Sequence, residues 1–177
     1  MTRPLAAMAF ILTLCLATGP VRAADPRVPV RTVIEITAGN WSETDQSDEE
    51  VFSEDNLATL FSADFARLYR EASKHPAFDL PEGETTGSPF DYDPIAGGQD
   101  GCAFENIRIE DDGDGQVTAL FNNRKCFGDD PAYQEDTVLI FHVDEEGGRQ
   151  VIDDIYRVVN GESGSSLKDD MRVIAAQ

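Results

Sequence analysis

The clearest hydrophobic pattern in the first half of the chain is a stripe of apolar residues spaced three and four positions apart. It consists of Leu57, Leu60, Phe61, Phe65, Leu68, Tyr69 and Ala72. This spacing predicts helices with one buried face. Ser53 and Ser62 are of the residue type that caps helix N-termini, and acidic residues follow both of them in the first turn. We therefore predict a short helix after Ser53, a break at Ser62, and a second helix that ends near Pro76.

The segments on either side of this stripe carry weaker patterns. Residues 25–37 mix prolines with β-branched residues, which leaves a short helix after Pro29 or an edge strand as alternatives, with the helix slightly favoured. Residues 76–101 are rich in proline and glycine, and a connection of this length is usually functional or disordered. Its stretch Phe90–Ile95 is too aromatic for a simple linker.

The second half of the chain is rich in β-formers. Its runs are Cys102–Glu110, Gln116–Cys126, Asp136–Asp144 and Gln150–Val159. These runs and the short Gly/Asp turns between them predict a curved antiparallel sheet of about four strands. A polar segment at 161–166 then leads to a short C-terminal helix over 167–175, which Ser165 or Ser166 would cap. The predicted fold class is therefore α+β, with N-terminal helices packed on the sheet.

Residues 1–23 have the pattern of a secretory signal peptide. Arg3 precedes the apolar run Leu5–Leu16, and small or apolar residues lead to Ala23. The run is too short to span a bilayer, so we predict cleavage at or next to Ala23, with a retained interfacial anchor as the alternative. No other stretch is apolar enough for a membrane span. Residues 24–177 would then form a single domain in the periplasm or outside the cell.

Two cysteines, Cys102 and Cys126, remain after the leader is removed, and they lack metal-ligand spacing, which predicts a disulfide. If the first turn centres on Gly113 and Asp114, cross-strand partners have residue numbers that add up to about 228, as those of the two cysteines do. In that register one face holds the predicted core residues Ile107, Ile109, Val117, Ala119 and Phe121. The other face holds the cysteines with Phe104 and Leu120, unless a bulge shifts the pairing.

The charge balance excludes several classes of partner. The 177 residues include 14 Lys or Arg against 34 Asp or Glu, for a formal net charge of −20. So acidic a chain lacks the cations that binding to nucleic acid or anionic lipid requires. The hydrophobic fraction of 41% is sufficient for a core. An acidic surface instead favours encounter with a basic partner.

Four short motifs follow one another in an order that resembles a known family. They are Asp91-Tyr92-Asp93-Pro94-Ile95, Gln99-Asp100, Ile152-Asp153-Asp154-Ile155 and Ser166-Leu167. Over roughly residues 57–172 the chain resembles a family of bacterial exported proteins of unknown function within the nuclear transport factor 2-like superfamily. The resemblance implies a cone, in which helices pack across the concave side of a strongly curved antiparallel sheet. It implies no activity, because this superfamily hosts enzymes, carriers and binding modules.

The long loop holds the first candidate site. Asp91, Tyr92, Asp93, Gln99 and Asp100 cluster there, as a pocket rim or an oxygen-rich cation site would. The alternative, which we favour, is that the carboxylates accept hydrogen bonds from backbone N–H groups in a turn.

His142 and Asp154 are the second candidate. His142 lies mid-strand, and a last hairpin closed by Gly147 would bring Asp153 or Asp154 within a diagonal step of it. Such a His–Asp pair suits general acid–base catalysis. A half-buried structural histidine is the alternative and the favoured interpretation.

The acidic turn Glu110–Gly115 superficially resembles a calcium loop. It begins with Glu instead of Asp and has Phe121 where a bidentate Glu is required, so we predict no dedicated metal site. Phosphate loops, Rossmann fingerprints, zinc spacings and the Gly-x-Ser-x-Gly elbow are also absent from the sequence, and no cofactor is predicted.

Three functional hypotheses follow. The first is a non-catalytic, exported acidic binding or accessory module that recognises a basic protein or a component of the cell envelope. The second is a small pocket enzyme with His142 and Asp154 as its acid–base pair. The third is a weak divalent-cation binder that acts through charge alone.

Overall fold

The computed structural model describes residues 24–44, 47 and 49–177. The first helices are α1 (Arg27–Asn40), α2 (Glu54–Thr59) and α3 (Ala63–Ala72). The strands are β1 (Glu105–Gly113), β2 (Gln116–Asn122), β3 (Thr137–Glu146), β4 (Arg149–Val159) and β5 (Glu162–Ser166). The short α4 (Pro131–Gln134) lies between β2 and β3, and α5 (Leu167–Ala175) follows β5. The α+β class is confirmed, and the leader predicted at residues 1–23 lies outside the described residues.

The segment whose pattern left helix and strand open is helical. α1 begins at Arg27, before Pro29 and not after it, because proline is tolerated in the first turn of a helix. Val30, Val33 and Ile34 are fully buried along one side of α1. Their β-branched side chains have low intrinsic helix propensity. Burial in the core, and not local preference, therefore selects the helix here.

Both predicted N-caps in the first half of the chain are confirmed. Ser53 Oγ accepts a hydrogen bond from Asn56 N at 3.3 Å, and Ser62 Oγ accepts one from Phe65 N at 3.0 Å. The break between α2 and α3 also pairs with β4, because Ser62 N donates to Ile152 O at 2.9 Å. The helix break therefore attaches the helical layer to the sheet.

The predicted register of the first hairpin is confirmed over its central pairs. Ile109 lies opposite Ala119 and Asp111 lies opposite Val117, so each pair keeps the sum of 228. Nearer the start of β1, a bulge around Asn106, whose φ is 55°, inserts an extra residue into the strand.

That bulge makes two side-chain assignments wrong. Ile107, predicted in the core, is 41% exposed. Phe104, predicted on the opposite face, stacks on the buried Phe121 with ring centroids 4.1 Å apart. Because side chains alternate along a strand, one extra residue moves the positions before it to the other face.

The disulfide between Cys102 and Cys126 is confirmed, with the two Cα atoms 5.8 Å apart. Its position differs from the prediction, because β1 begins only at Glu105 and β2 already ends at Asn122. Cys102 N still donates to Asn123 O at 2.8 Å. The disulfide therefore closes the hairpin just beyond its last paired residues.

The sheet is open and has five strands, so the predicted count of four is wrong. The strand that the prediction missed is β5, which contains no apolar residue and is exposed except at Ser166. Asn160 and Gly161, with φ of 54° and 79°, form the turn that leads into it. An Asn-Gly pair is the strongest short-range signal of a hairpin. The Asn-Gly turn could therefore have predicted β5 from the sequence, whereas the hydrophobic pattern could not.

One face of the sheet is buried in a core that it shares with α1, α3 and α5. The fully buried residues of β2 and β3 on that face are Val117, Ala119, Phe121, Leu139 and Phe141. The connection between α3 and β1 also reaches this core, since Ile95 is fully buried in it. The loop that carries the first candidate site is therefore anchored against the sheet.

Candidate functional site

The long loop turns tightly around the carboxylate of Asp93. Asp93 Oδ1 accepts hydrogen bonds from Ile95 N at 2.8 Å and Ala96 N at 2.9 Å. Asp93 Oδ2 accepts a third from Trp41 Nε1, just after α1, at 2.8 Å. The carboxylate thus closes the turn and ties it to the first helix, which is the structural role that an Asp in a turn commonly has.

Arg157 on β4 holds the same turn from another side. Arg157 Nη2 donates to Ile95 O at 2.8 Å and to Pro94 O at 3.4 Å. Gly97 has φ of 88°, and a Cβ at this position would overlap the Arg157 guanidinium. Both the backbone conformation and the close approach of the arginine therefore require glycine here.

The predicted loop residues divide into two groups. Tyr92 and Asp93 line cavities, as the pocket-rim hypothesis requires. Asp91, Gln99 and Asp100 are exposed and line neither of the two cavities described below. Gln99 Nε2 instead donates to Asp91 O at 2.6 Å, within the loop.

The larger cavity lies between α3, the segment before α2 and the long loop, and its volume is about 740 Å³. Its aromatic walls are Phe52, Tyr69 and Tyr92. The charged side chains that line it are Glu50, Glu54, Arg70, Lys74, Glu84 and Asp93. We call this cavity the α3 groove; its volume is within the usual range of ligand sites.

The α3 groove carries negative charge that no cation compensates. Both of its cations are engaged in ion pairs with N–O distances of 2.7 Å, namely Arg70–Glu54 and Lys74–Glu71. Among the described residues, Glu50 and Glu84 take part in no ion pair. These two carboxylates are therefore free to meet a positively charged ligand.

Tyr69 gives the wall of the α3 groove a hydroxyl that stays protonated. Burial raises the pKa of Tyr69 to about 12, and the negative charge of Glu50 adds to this effect. The ring stacks on Phe52 with the centroids 4.9 Å apart. The two rings thus form a fixed apolar surface beside the free carboxylates.

The smaller cavity lies where the Asp93 turn, β4 and the start of α5 meet, and its volume is about 240 Å³. Its polar lining comes from Tyr92, Arg157, Ser165 and Asp170. Its apolar lining includes Leu139, Ile155 and Leu167. We call this cavity the Arg157 pocket.

His142 and Asp154 lie directly opposite each other on β3 and β4, because a bulge next to His142 shifts the pairing. His142 is exposed, so the favoured prediction of a half-buried histidine is wrong; its ring packs against Tyr156, with the ring centroids 4.7 Å apart. Asp154 is buried, and its Oδ1 accepts a hydrogen bond from Lys168 N at 3.1 Å at the start of α5. Neither residue lines the α3 groove or the Arg157 pocket.

An ion cluster that no sequence pattern predicted lies where α3, β4 and α5 meet. The Lys168 side chain is 8% exposed, and its Nζ lies 2.7 Å from Asp64 Oδ2 and 3.0 Å from Asp153 Oδ1. Ser62 Oγ donates to Asp153 Oδ1 at 2.7 Å. Burial by itself would lower the pKa of the Lys168 ammonium, but its hydrogen bonds with Asp64 and Asp153 raise it above its usual value. Because the partners are far apart in sequence, no local pattern indicates this cluster.

Replacing Asp64 by Asn is expected to lower the free energy of unfolding at neutral pH by about 1 kcal/mol, a value reduced for the exposure of this carboxylate. Hydrogen bonds from Lys168 and Arg67 lower the pKa of Asp64 from 3.8 to about 2. The carboxylate therefore stabilises the fold above the unfolded-state pKa of 3.8, and this contribution disappears as the pH falls toward 2. Urea unfolding measures this effect: the difference in the free energy of unfolding between wild type and variant should persist at about pH 4 and nearly vanish at about pH 2. A difference that does not change with pH would contradict this assignment.

The part of the chain that the structure describes contains no group of three or more His, Cys, Asp or Glu side chains able to hold a metal ion. The acidic turn between β1 and β2 instead bonds to itself, with Gly113 N donating to Asp111 Oδ1 at 3.0 Å. Across the described ranges, no helix has both the length and the apolar character needed to cross a membrane.

Comparison of the chain with protein-family models, curated proteins and solved structures found no match.

Proposed function

We propose that this protein is an exported, non-catalytic binding or accessory module of the bacterial cell envelope, and that its α3 groove takes a basic segment of a partner protein. The observation that carries the proposal is that two carboxylates in a groove with aromatic walls, Glu50 and Glu84, form no ion pair among the described residues. The two cations that line the groove, Arg70 and Lys74, are already bound to other acids.

A lysine or arginine side chain matches this lining in two ways. Its charged end would meet Glu50 or Glu84, and its apolar stem would lie against the rings of Phe52 and Tyr69. A cation above an aromatic face gains further electrostatic stabilisation. The net charge of −20 would also attract a basic partner over longer distances and speed the encounter at low salt.

The order of helices before an antiparallel sheet supports a second proposal, a relation to the nuclear transport factor 2-like superfamily. The Asp93 turn supports it as well, because the Asp93 carboxylate of the Asp-Pro motif accepts the hydrogen bonds that close this turn. This relation assigns no activity.

Binding of hexalysine to the purified protein tests the groove. We expect the affinity to fall about tenfold as the salt concentration rises from roughly 0.05 M to 0.3 M, since screening weakens exposed charge pairs. Replacing both Glu50 and Glu84 by Gln should weaken binding about fivefold at the lower salt concentration. Calorimetry or fluorescence anisotropy measures both effects, with hexaglutamate as the non-binding probe.

The matched control is the double variant Asp79→Asn with Glu82→Gln. These two residues are exposed on the same long loop and do not line the groove, and the control changes the net charge by the same amount. Equal losses in both double variants would show that net charge alone attracts the probe, which would overturn the groove assignment. Affinity that does not respond to salt would overturn the electrostatic basis of the proposal.

A further inference from the structure

The Arg157 pocket contains a half-buried cation that forms no ion pair within the described ranges, although the charge of Asp93 acts on it from the adjoining turn. Within the described ranges, eight lysines and arginines form ion pairs with carboxylates, whereas Arg157, like Arg31, Arg124 and Arg149, forms none. Its hydrogen bonds reach only the carbonyl oxygens of Pro94 and Ile95, both through Nη2. A half-buried charge that no carboxylate contacts directly is costly, and a bound anion would offset that cost.

The same pocket contains a carboxylate that likewise forms no ion pair within the part of the chain that the structure describes. Asp170 is half-buried in the first turn of α5 and lines the pocket. Its neighbour Asp169 is bound to Arg172 at 2.6 Å, whereas Asp170 takes part in no ion pair among the described residues. Charges of opposite sign thus line one small cavity without meeting each other.

The remaining lining limits the size and polarity of a ligand. A volume of about 240 Å³ corresponds to roughly eight water molecules of liquid, so a ligand with a similar number of non-hydrogen atoms would fit. Leu139, Ile155 and Leu167 supply an apolar wall. Burial and the charge of Asp170 raise the pKa of Tyr92, which keeps its hydroxyl available as a hydrogen-bond donor.

We propose that the Arg157 pocket binds a free α-amino acid with an apolar side chain. The carboxylate of the ligand would pair with the Arg157 guanidinium, its ammonium with Asp170, and its side chain would pack against the apolar wall. A guanidinium suits this role because its planar array of donors matches a carboxylate. This second site does not depend on the α3 groove, although Tyr92 lines both cavities.

Three probes of nearly the same shape separate the two charges of the ligand. L-leucine carries both charges, 4-methylpentanoate lacks the ammonium, and 3-methylbutylamine lacks the carboxylate. Titration of the purified protein, followed by calorimetry and by NMR of the arginine side-chain N–H groups, should give saturable binding of L-leucine with a Kd of about 1 mM or tighter. Each of the other two probes should bind about tenfold more weakly.

Two variants test separately the residues that would contact the carboxylate and the ammonium of the ligand. Arg157→Gln should reduce leucine binding about tenfold. Asp170→Asn should weaken leucine about fivefold while it leaves 4-methylpentanoate binding unchanged or stronger, an effect that a damaged fold would not produce. Asp169→Asn is the matched control, because this carboxylate is exposed and does not line the pocket.

Failure to detect saturable leucine binding up to about 20 mM would overturn the proposal. So would equal affinity for the three probes, or an Asp170→Asn variant that loses leucine and 4-methylpentanoate alike. None of these outcomes bears on hexalysine binding in the α3 groove, so the two sites are tested separately.

Discussion

Removal of the Cys102–Cys126 disulfide is expected to lower the free energy of unfolding by about 3.5 kcal/mol. The bridge joins residues 24 positions apart, and breaking it frees this loop in the unfolded chain, which gains conformational entropy. The double variant Cys102→Ala with Cys126→Ala tests this in urea unfolding. The native contacts around the bridge are few, since Cys126 is exposed, so most of the loss should come from the unfolded state.

Urea unfolding in the presence of a reducing agent provides the control for the double variant. The reducing agent should destabilise the wild-type protein by about the same amount as the double variant and leave the double variant unchanged. If the free energies of unfolding of the double variant and the oxidised wild type differed by less than about 1 kcal/mol, the chain-entropy explanation of this disulfide would be wrong.

Replacing Asp93 by Ala should cost about 3 kcal/mol of stability, the second of the two largest effects that we expect. This carboxylate accepts three hydrogen bonds, from Ile95 N, Ala96 N and Trp41 Nε1. Without it, those N–H groups lose their acceptor in a region that is largely shielded from water, and hydrogen bonds to a charged group are among the stronger ones. Trp41 is the only tryptophan, so its fluorescence reports directly on this contact during urea unfolding.

Two milder variants separate the parts of this network. Asp93→Asn keeps an acceptor oxygen for the turn but presents an N–H₂ group toward Trp41, and should cost about 1.5 kcal/mol. Trp41→Phe removes the same contact from the other side. The double variant Asp93→Asn with Trp41→Phe should lose less stability than the sum of the two single losses, because both changes remove the same hydrogen bond. A loss equal to that sum would show that the Trp41–Asp93 hydrogen bond is not the shared cause. An Asp93→Ala protein as stable as the wild type would contradict the structural role of this carboxylate.

Features that depend on a few neighbouring residues were predictable. The predicted helix over 167–175 is confirmed, and Ser166 Oγ accepts a hydrogen bond from Asp169 N at 3.1 Å as an N-cap does. The central register of the first hairpin and the pairing of the two cysteines are confirmed. The turn itself lies at Asp114-Gly115 and not at the predicted Gly113-Asp114, and the register shifts between Asp111 and Gly113.

The candidate site was predictable only in part. Tyr92 and Asp93 were named from the aromatic and acidic composition of the loop, and both line cavities. Arg157 was not named, because a single arginine late in a strand carries no pattern of its own. Its importance comes from the turn that packs against it, more than 50 residues earlier in the chain.

The sequence alone thus determined the serine caps, the turn-defined pairing of β1 with β2, and the acidic charge balance. Tertiary structure decided the helical state of α1, the side-chain reversal at the Asn106 bulge, and the meeting of Lys168 with Asp64 and Asp153. The physical reason is the range of the interactions. Caps and turns are satisfied by hydrogen bonds within a few residues, whereas burial and ion pairing depend on which distant segments the folded chain brings together.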